Sequence, residues 1–297
     1  MRVTHRLVAN TVINNIHLNL DRMHRVQNML SSGKTVNKPS DDPIKVSRVM
    51  GYNSALDQNN QYRKNIDSAR SWLEVTENAL KGINEVLQRA RELALAGVND
   101  TNPVSARQAM AREVDELTNV LVQFGNNSYE SRYLFSGFQT NTVPLSRDKS
   151  MAPASVTYHG DQGRINWEVA PNVTIKGNID GQELFIDSGL FAAMEKLLQG
   201  LENGDTVAMN ESISELDGAI DFVLDKRASV GAIINGLNVL YDHLEAEKLS
   251  FTELRSRLED IDFAETFMNF SVLENLYRAS IATGAKIIQP SLLDYLR

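Results

Sequence analysis

Apolar residues recur at three- and four-residue intervals along most of this chain, the spacing that lines one stripe of an α-helix. The longest run goes from about Glu211 to Asp262 and carries Ile213, Leu216, Ile220, Val223, Val230, Ile234, Leu237, Tyr241, Leu244, Phe251 and Leu258. Arg227, Lys248 and Arg255 interrupt the stripe, and no proline does. At ~1.5 Å per residue such a helix is roughly 75 Å long. A stripe this narrow calls for partner helices, as in a coiled coil or a long bundle.

The rest of the pattern supplies the partners. Residues 3 to 30 form an amphipathic helix on Ile13, Ile16, Leu20, Met23 and Leu30, with Val26 beside the seam and Gly33 as its stop. Alone in water such a helix is marginal. Lys38-Pro39-Ser40-Asp41-Asp42-Pro43 predicts a second start, with Asp42 capping and Pro43 in the first helical position. A regular seam of Ile66, Ala69, Leu73, Thr76, Leu80, Ile83, Leu87, Ala90 and Ala94 then extends to about Ala96, and Gly97 ends it. Asn102-Pro103 restarts a helix on Met110, Val114, Leu117, Leu121 and Phe124, closed by Gly125-Asn126-Asn127. The short connection predicts an antiparallel helical hairpin.

Beyond it the texture changes. Ser131-Arg132-Tyr133-Leu134-Phe135-Ser136-Gly137-Phe138 is aromatic and punctuated by glycine, and Thr140 to Pro153 reads as a loop. Strands are expected at Ser155–His159, Arg164–Val169 and Asn172–Ile175. Gly160-Asp161-Gln162-Gly163 is expected to join the first two as a hairpin loop, and Asp180-Gly181 to be a further turn. Helix resumes near Gly189 with Leu190, Met194, Leu197 and Leu201 and leads into the longest run. From Asp262 a closing helix follows on Phe263, Phe267, Phe270, Tyr277, Ile281 and Ile288, with Leu273 and Leu276 beside the stripe; Gly284 and Pro290 are expected to weaken or kink it.

The expected fold is therefore mainly α: a long antiparallel helical bundle or coiled-coil rod, with a small inserted antiparallel β domain and paired terminal helices. Its expected division is an N-terminal helix (1–38), a long helical hairpin (39–135), a β-rich insertion (136–188), return helices (189–258) and a C-terminal helix (259–297).

Composition agrees with this picture and narrows the function. Few aromatics (7%) and few breakers in 297 residues favour helix. A net charge of −8 argues against a general nucleic-acid binder, which needs a basic face. The charge is uneven. Residues 1–38 hold six Lys/Arg (Arg2, Arg6, Arg22, Arg25, Lys34, Lys38) against Asp21, whereas residues 259–297 hold six acids (Glu259, Asp260, Asp262, Glu265, Glu274, Asp294) against Arg278, Lys286 and Arg297. Pairing the two ends would bury two stripes and match opposite charges. The absence of cysteine excludes disulfides, thiolate chemistry and Cys-ligated zinc; it suits a chain that must pass unfolded through a channel, and chance with lack of need explains it equally well. No apolar run approaches the ~18 residues of a membrane span. Asn10, Asn14, Asn15, His17 and Asn19 break up what could have been a signal-peptide core, which leaves the cytoplasm or export without a cleaved leader.

Chemistry-bearing residues form no constellation. His17 and His24 are seven apart, too far for i, i+4 metal ligation, and His5, His159 and His243 add no second cluster. Glu253, Glu259, Asp260, Asp262 and Glu265 lie beside Arg255 and Arg257, where intrahelical or inter-subunit ion pairs are expected rather than paired catalytic carboxylates. There is no phosphate-binding glycine loop, and Ser136-Gly137 lacks the context of a nucleophile elbow. No catalytic, cofactor or metal site is expected. The working surface is expected to be an assembly interface of Ile13, Ile16, Leu20, Met23 and Leu30 with Phe267, Phe270, Leu273, Leu276, Tyr277 and Ile281. Each such side chain contributes roughly 1.5–3 kcal/mol when buried, and ends of this kind can fold on assembly. Asn14, Asn15 and Asn19 either fix register or face solvent or a lumen.

Two separated motifs carry a resemblance. Ser31-Ser32-Gly33-Lys34 with Lys38-Pro39-Ser40-Asp41-Asp42-Pro43 resembles the flagellin N-terminal signature, and Arg255-Ser256-Arg257-Leu258-Glu259-Asp260-Ile261-Asp262-Phe263-Ala264-Glu265 resembles its C-terminal counterpart. Within that superfamily, Tyr133-Leu134-Phe135-Ser136-Gly137-Phe138 and Val156-Thr157-Tyr158-His159-Gly160-Asp161 resemble the hook-associated members. The resemblance covers the whole chain and is weakest in residues 140–200. It implies a structural role at the junction of hook and filament in the bacterial flagellum. Terminal helices would line an inner tube, long helices the next shell, and the β insertion would face outward. The implied partners are the first hook-associated protein on the hook side, flagellin on the filament side, copies of the chain itself in a ring, and an export chaperone at the C-terminal segment. Type III export is implied with them. A filament subunit and a cytoplasmic coiled-coil scaffold are the rival readings.

Overall fold

The computed structural model describes residues 2–99, 102–148 and 155–288, without the side chains of residues 2–6 and 287–288. Expectations that fall on Arg2, His5, Arg6, Pro153, Ile288, Pro290, Asp294 and Arg297 lie outside the described residues or side chains. The chain divides into two compact units: residues 1–59 with 246–297, and residues 60–245.

The fold is mainly α, as the pattern predicts. Six α-helices are described: α1 (Arg2–Ser32), α2 (Pro43–Gly97), α3 (Val104–Gly125), α4 (Leu190–Asn203), α5 (Thr206–Glu259) and α6 (Phe263–Ile288). Between α3 and α4 lie β1 (Ser128–Tyr129), β2 (Arg132–Tyr133), β3 (Leu145–Asp148), β4 (Ser155–Tyr158), β5 (Asn166–Ala170), β6 (Val173–Lys176) and a π-helical turn, Gln182–Asp187. Aspartates open three of the helices by accepting backbone N–H groups of the first turn. Asp42 receives Ile44 and Lys45 at 3.1 and 3.0 Å, Asp205 receives Val207 and Ala208 at 2.9 and 3.2 Å, and Asp262 receives Ala264 and Glu265 at 2.8 and 3.1 Å. The Asp205 cap starts α5 several residues before the apolar stripe does.

In the unit of residues 60–245, the whole α2 seam from Ile66 to Ala94 is buried. It packs in one cluster with Leu216, Val223, Val230 and Leu237 of α5 and Leu190, Met194, Leu197 and Leu201 of α4. Polar pairs fix the antiparallel courses. Arg89 meets Glu113 of α3 at 2.8 Å, and the Phe124 ring occupies the space a Cβ on Gly82 would take. Arg227, which interrupts the α5 stripe, reaches Glu77 of α2 at 2.5 Å, and Arg63 donates to the Tyr241 hydroxyl at 2.8 Å. The buried face of α3 is Ala111, Val114, Thr118 and Leu121. Met110, Leu117 and Phe124 flank it half-buried, so the seam is rotated slightly from the predicted one.

The β segment corrects two expectations. β4 pairs with β3, in a stretch expected to be loop, with Leu145 opposite Tyr158 and Asp148 opposite Ser155. β5 pairs with β6, Asn166 opposite Lys176, so residues 160–163 are not a hairpin loop between β4 and β5. Side-chain anchors are the reason. The Asn126 amide accepts from the Leu145 N–H and donates to its carbonyl, both at 2.9 Å, and this holds β3 beside β4. Asp161 accepts from the Phe138 and Gly163 amides at 2.7 and 2.9 Å, folding residues 160–163 back on the Phe138 stretch instead. Leu134, Phe135, Leu145, Val169, Leu184 and Phe185 share the hydrophobic cluster of the helices, and Phe135 meets Phe185 edge-on at 5.3 Å.

Tyr158 ties this region together. Its hydroxyl donates to the Phe135 carbonyl at 2.8 Å and lies 3.1 Å from that of Asp161. Burial, with the carboxylates of Asp180 and Asp161 adding to it, pushes its pKa from 10.0 up to about 12. The fold thus favours the neutral phenol. That stabilisation is fully present below pH ~10 and is lost as the pH rises through ~12. Tyr158→Phe is expected to cost about 1 kcal/mol at neutral pH and to flatten the alkaline fall in stability between those limits, as denaturant melts at pH 7 and 11 would measure.

Candidate assembly interface

Three hydrogen bonds and an ion pair join the two chain ends where their helices break. The Thr35 N–H donates to the Glu259 carbonyl (2.6 Å) and the Ile261 N–H to the Gly33 carbonyl (3.1 Å), a short antiparallel bridge between Lys34 and Asp260. The Thr35 hydroxyl donates to the Leu258 carbonyl at 3.0 Å. The Lys34 ammonium sits 2.5 Å from the Glu259 carboxylate, which Arg255 approaches at 3.9 Å from its own helix. The N-terminal and C-terminal signature motifs are therefore one clasp made from both ends of the chain. Of the expected carboxylate pairs, Arg257–Glu253 is intrahelical at 2.5 Å, while Asp262 caps α6. Among the described residues no group of three or more His, Cys, Asp or Glu could hold a metal ion, and no helix is long and apolar enough to cross a membrane.

From the clasp, α1 and α6 run as a pair. The α6 seam is Thr266, Phe270, Leu273, Tyr277, Ser280 and Gly284, in strict four–three alternation, all buried or half-buried. The α1 seam is Ala9, Val12, Ile16, Asn19, Leu20, Met23, Val26 and Leu30, all half-buried. α6 continues as helix through Gly284. A Cβ there would stand 3.0 and 3.3 Å from side-chain carbons of Val12 and Ile16, so the missing side chain lets the helices approach. Asn19 donates to the Ser280 hydroxyl at 2.9 Å, a polar register pin, whereas Asn14 and Asn15 are exposed. Among the described residues, Lys34–Glu259 is the ion pair between the two end segments; apolar and polar packing, rather than matched charge, lines the seam.

Of the eleven residues expected at the interface, Ile16, Leu20, Met23, Leu30, Phe270, Leu273 and Tyr277 are half-buried on the α1–α6 seam. Ile13, Phe267, Leu276 and Ile281 are exposed, Leu276 at the rim of a groove between the two helices. They are joined by Leu7 and Leu18 on α1 and by Phe263, Met268 and Val272 on α6, with Phe267, Met268 and Val272 each more than 60% exposed. Thr266, Ser280 and Gly284 were missed because small and polar residues do not register in an apolar count. Their four–three spacing was the available signal.

Comparison with known proteins supplies the class, a flagellar structural subunit. The chain belongs to the flagellin superfamily: residues 3–140 match the bacterial flagellin N-terminal helical region and residues 213–296 the bacterial flagellin C-terminal helical region. It is 25% identical over 272 residues to flagellar hook-associated protein 3 of Escherichia coli (strain K12), across 84% of this chain and 86% of that one. It is 24% identical to flagellin of Bacillus subtilis (strain 168), across 100% of both chains. The fold is that of flagellar hook-associated protein-3 from Legionella pneumophila, with a TM-score of 0.64 at 15% identity, over 71% of this chain and 98% of that one.

Proposed function

We propose that this chain is a structural subunit of the bacterial flagellum that forms the junction between hook and filament, without catalysis. One observation carries the assembly role: the paired terminal helices cover only one stripe each and leave large apolar side chains in the open. About nine such side chains, each roughly half free, leave on the order of 800 Å² of apolar surface uncovered in total, near the ~800 Å² each partner contributes to a specific interface. The hook-associated relative spanning most of the chain supports the junction position. In this reading residues 1–38 and 259–297 form the inner tube, 39–135 and 189–258 the rod, and 136–188 the outer insertion. The partners are the first hook-associated protein, flagellin, further copies in a ring, and an export chaperone at the C-terminal segment, with neither nucleic acid nor membrane insertion. The chain works outside the cell as part of the flagellum.

Leu276→Asp places a charge on the exposed stripe. It is expected to leave helix content unchanged by circular dichroism and to abolish filament attachment in cells that depend on this chain. Normal attachment would refute the assembly role. The full-length match to a flagellin favours a second reading, a filament subunit. Immuno-electron microscopy separates them: label confined to the distal end of the hook supports the junction, and label along the filament supports the alternative.

A further inference from the structure

A cavity of about 290 Å³ lies wholly within the unit of residues 60–245, where α5 meets the strand pair β5–β6. Its floor is apolar: Leu73 of α2 and Val230 of α5 are buried, and Ile179 and Ile233 are half-buried. One wall is basic. Arg164 lies two residues before β5, and Lys176 ends β6 opposite Asn166. The Arg164 backbone is pinned from both sides, because the Asn178 amide donates to the Gly163 carbonyl at 2.8 Å and accepts from the Ile165 N–H at 2.9 Å. Diagonal cross-strand neighbours stand ~7–8 Å apart, so the two cations repel each other across a gap that one anion can bridge. Among the described residues neither has an ion-pair partner. The two carboxylates of the lining are engaged elsewhere: Glu183 accepts from the Lys226 ammonium at 2.6 Å, and Asp180 from the Gln182 N–H at 2.9 Å. Gln162 and Ser229, both exposed, add an amide and a hydroxyl at the rim.

We propose that this cavity binds a hexuronate, an acidic sugar whose carboxylate bridges Arg164 and Lys176. Inorganic phosphate would meet the two cations but leave the apolar floor uncovered and most of the volume empty. An aliphatic or aromatic acid would cover the floor but leave the hydroxyl and amide at the rim without a polar partner. A hexuronate presents a carboxylate on one edge, C–H groups on a ring face and hydroxyls around the rest. The volume is at the low end for small-molecule pockets, ~300–1,000 Å³, which admits a single ring. The site goes beyond the assembly role and needs no neighbouring copy, because its whole lining belongs to one unit. Behind the basic wall, Gly177 leaves room for the Trp167 ring, which a Cβ there would overlap. Trp167 lies 6.2 Å from Trp72, and these are the two tryptophans of the chain, so indole fluorescence reports on this wall.

Sodium glucuronate and sodium galacturonate are titrated into the purified full chain at constant ionic strength, followed by indole fluorescence and saturation-transfer NMR. At least one is expected to bind saturably with a Kd of about 1 mM, an ordinary efficiency for about thirteen non-hydrogen atoms. Glucose and inorganic phosphate are expected to bind at least tenfold more weakly. Arg164→Gln combined with Lys176→Gln is expected to weaken uronate binding at least tenfold with an unchanged melting temperature, since both side chains are exposed. Should that variant lose stability, Ser229→Tyr, at an exposed position of α5, obstructs the cavity and is expected to weaken binding as much. The proposal is overturned if neither uronate saturates the chain at ten times that concentration, or if the folded variants bind as wild type does. Phosphate binding as tightly as the uronates would also overturn it, since the wall would then hold an anion without recognising a sugar.

Discussion

Gly137→Val is expected to lower the stability of the unit formed by residues 60–245 by about 3 kcal/mol or more. Gly137 has φ +67°, a region a β-branched residue enters only with strain. A Cβ there would also collide with the side chain and carbonyl of Asp161. The displaced Asp161 would release the amides of Phe138 and Gly163, and with them the backbone contact between Asp161 N–H and the Ser136 carbonyl. The two stretches that resemble hook-associated proteins are thus halves of one knot, with Tyr158 on one side and Phe135 on the other. Differential scanning calorimetry should show the melting temperature about 10 °C lower, at ~2–4 °C per kcal/mol for a domain of this size. A shift below ~2 °C would mean that the knot contributes little.

Glu259→Lys is expected to unfasten the terminal helices while leaving residues 60–245 as they are. Glu259 is largely buried and faces both Lys34 and Arg255. Replacing it leaves three cations together where one anion held two. A cost of about 2 kcal/mol, the lower end for a broken, partly buried pair, corresponds to roughly thirtyfold faster amide exchange in α1 and α6. Hydrogen exchange read by mass spectrometry would resolve the two units separately. Unchanged protection in α1 and α6 would show that the backbone bridge alone holds the clasp. Loss of protection throughout residues 60–245 would show that the two units do not unfold separately.

Strong local signals made much of this fold legible. Asp42-Pro43 marks the start of α2 whatever lies around it, because the cap is made by the residue's own side chain. The α2 seam from Ile66 to Ala94 and the α5 stripe from Ile213 to Leu258 could be read because each repeats a single contact many times. The β pairing was not legible. Residues 155–158 alternate like a strand whichever strand they join, and the choice of β3 was made by Asn126, which local pattern marked only as a helix stop.

The interface divides in the same way. Ile16, Leu20, Phe270, Leu273 and Tyr277 announce a seam by spacing and hydrophobicity. The exposure of Phe267, Leu276 and Ile281 depends on where the partner helix sits, and that position is set by Gly284 and by the Asn19–Ser280 bond. By itself, the sequence determined the helices, their starts and the need of both ends for partners, because these are properties of neighbouring residues. The tertiary structure decided which strands pair, that the two terminal motifs clasp each other, and which apolar side chains remain uncovered, because those outcomes rest on single polar or small residues meeting partners far away in the chain.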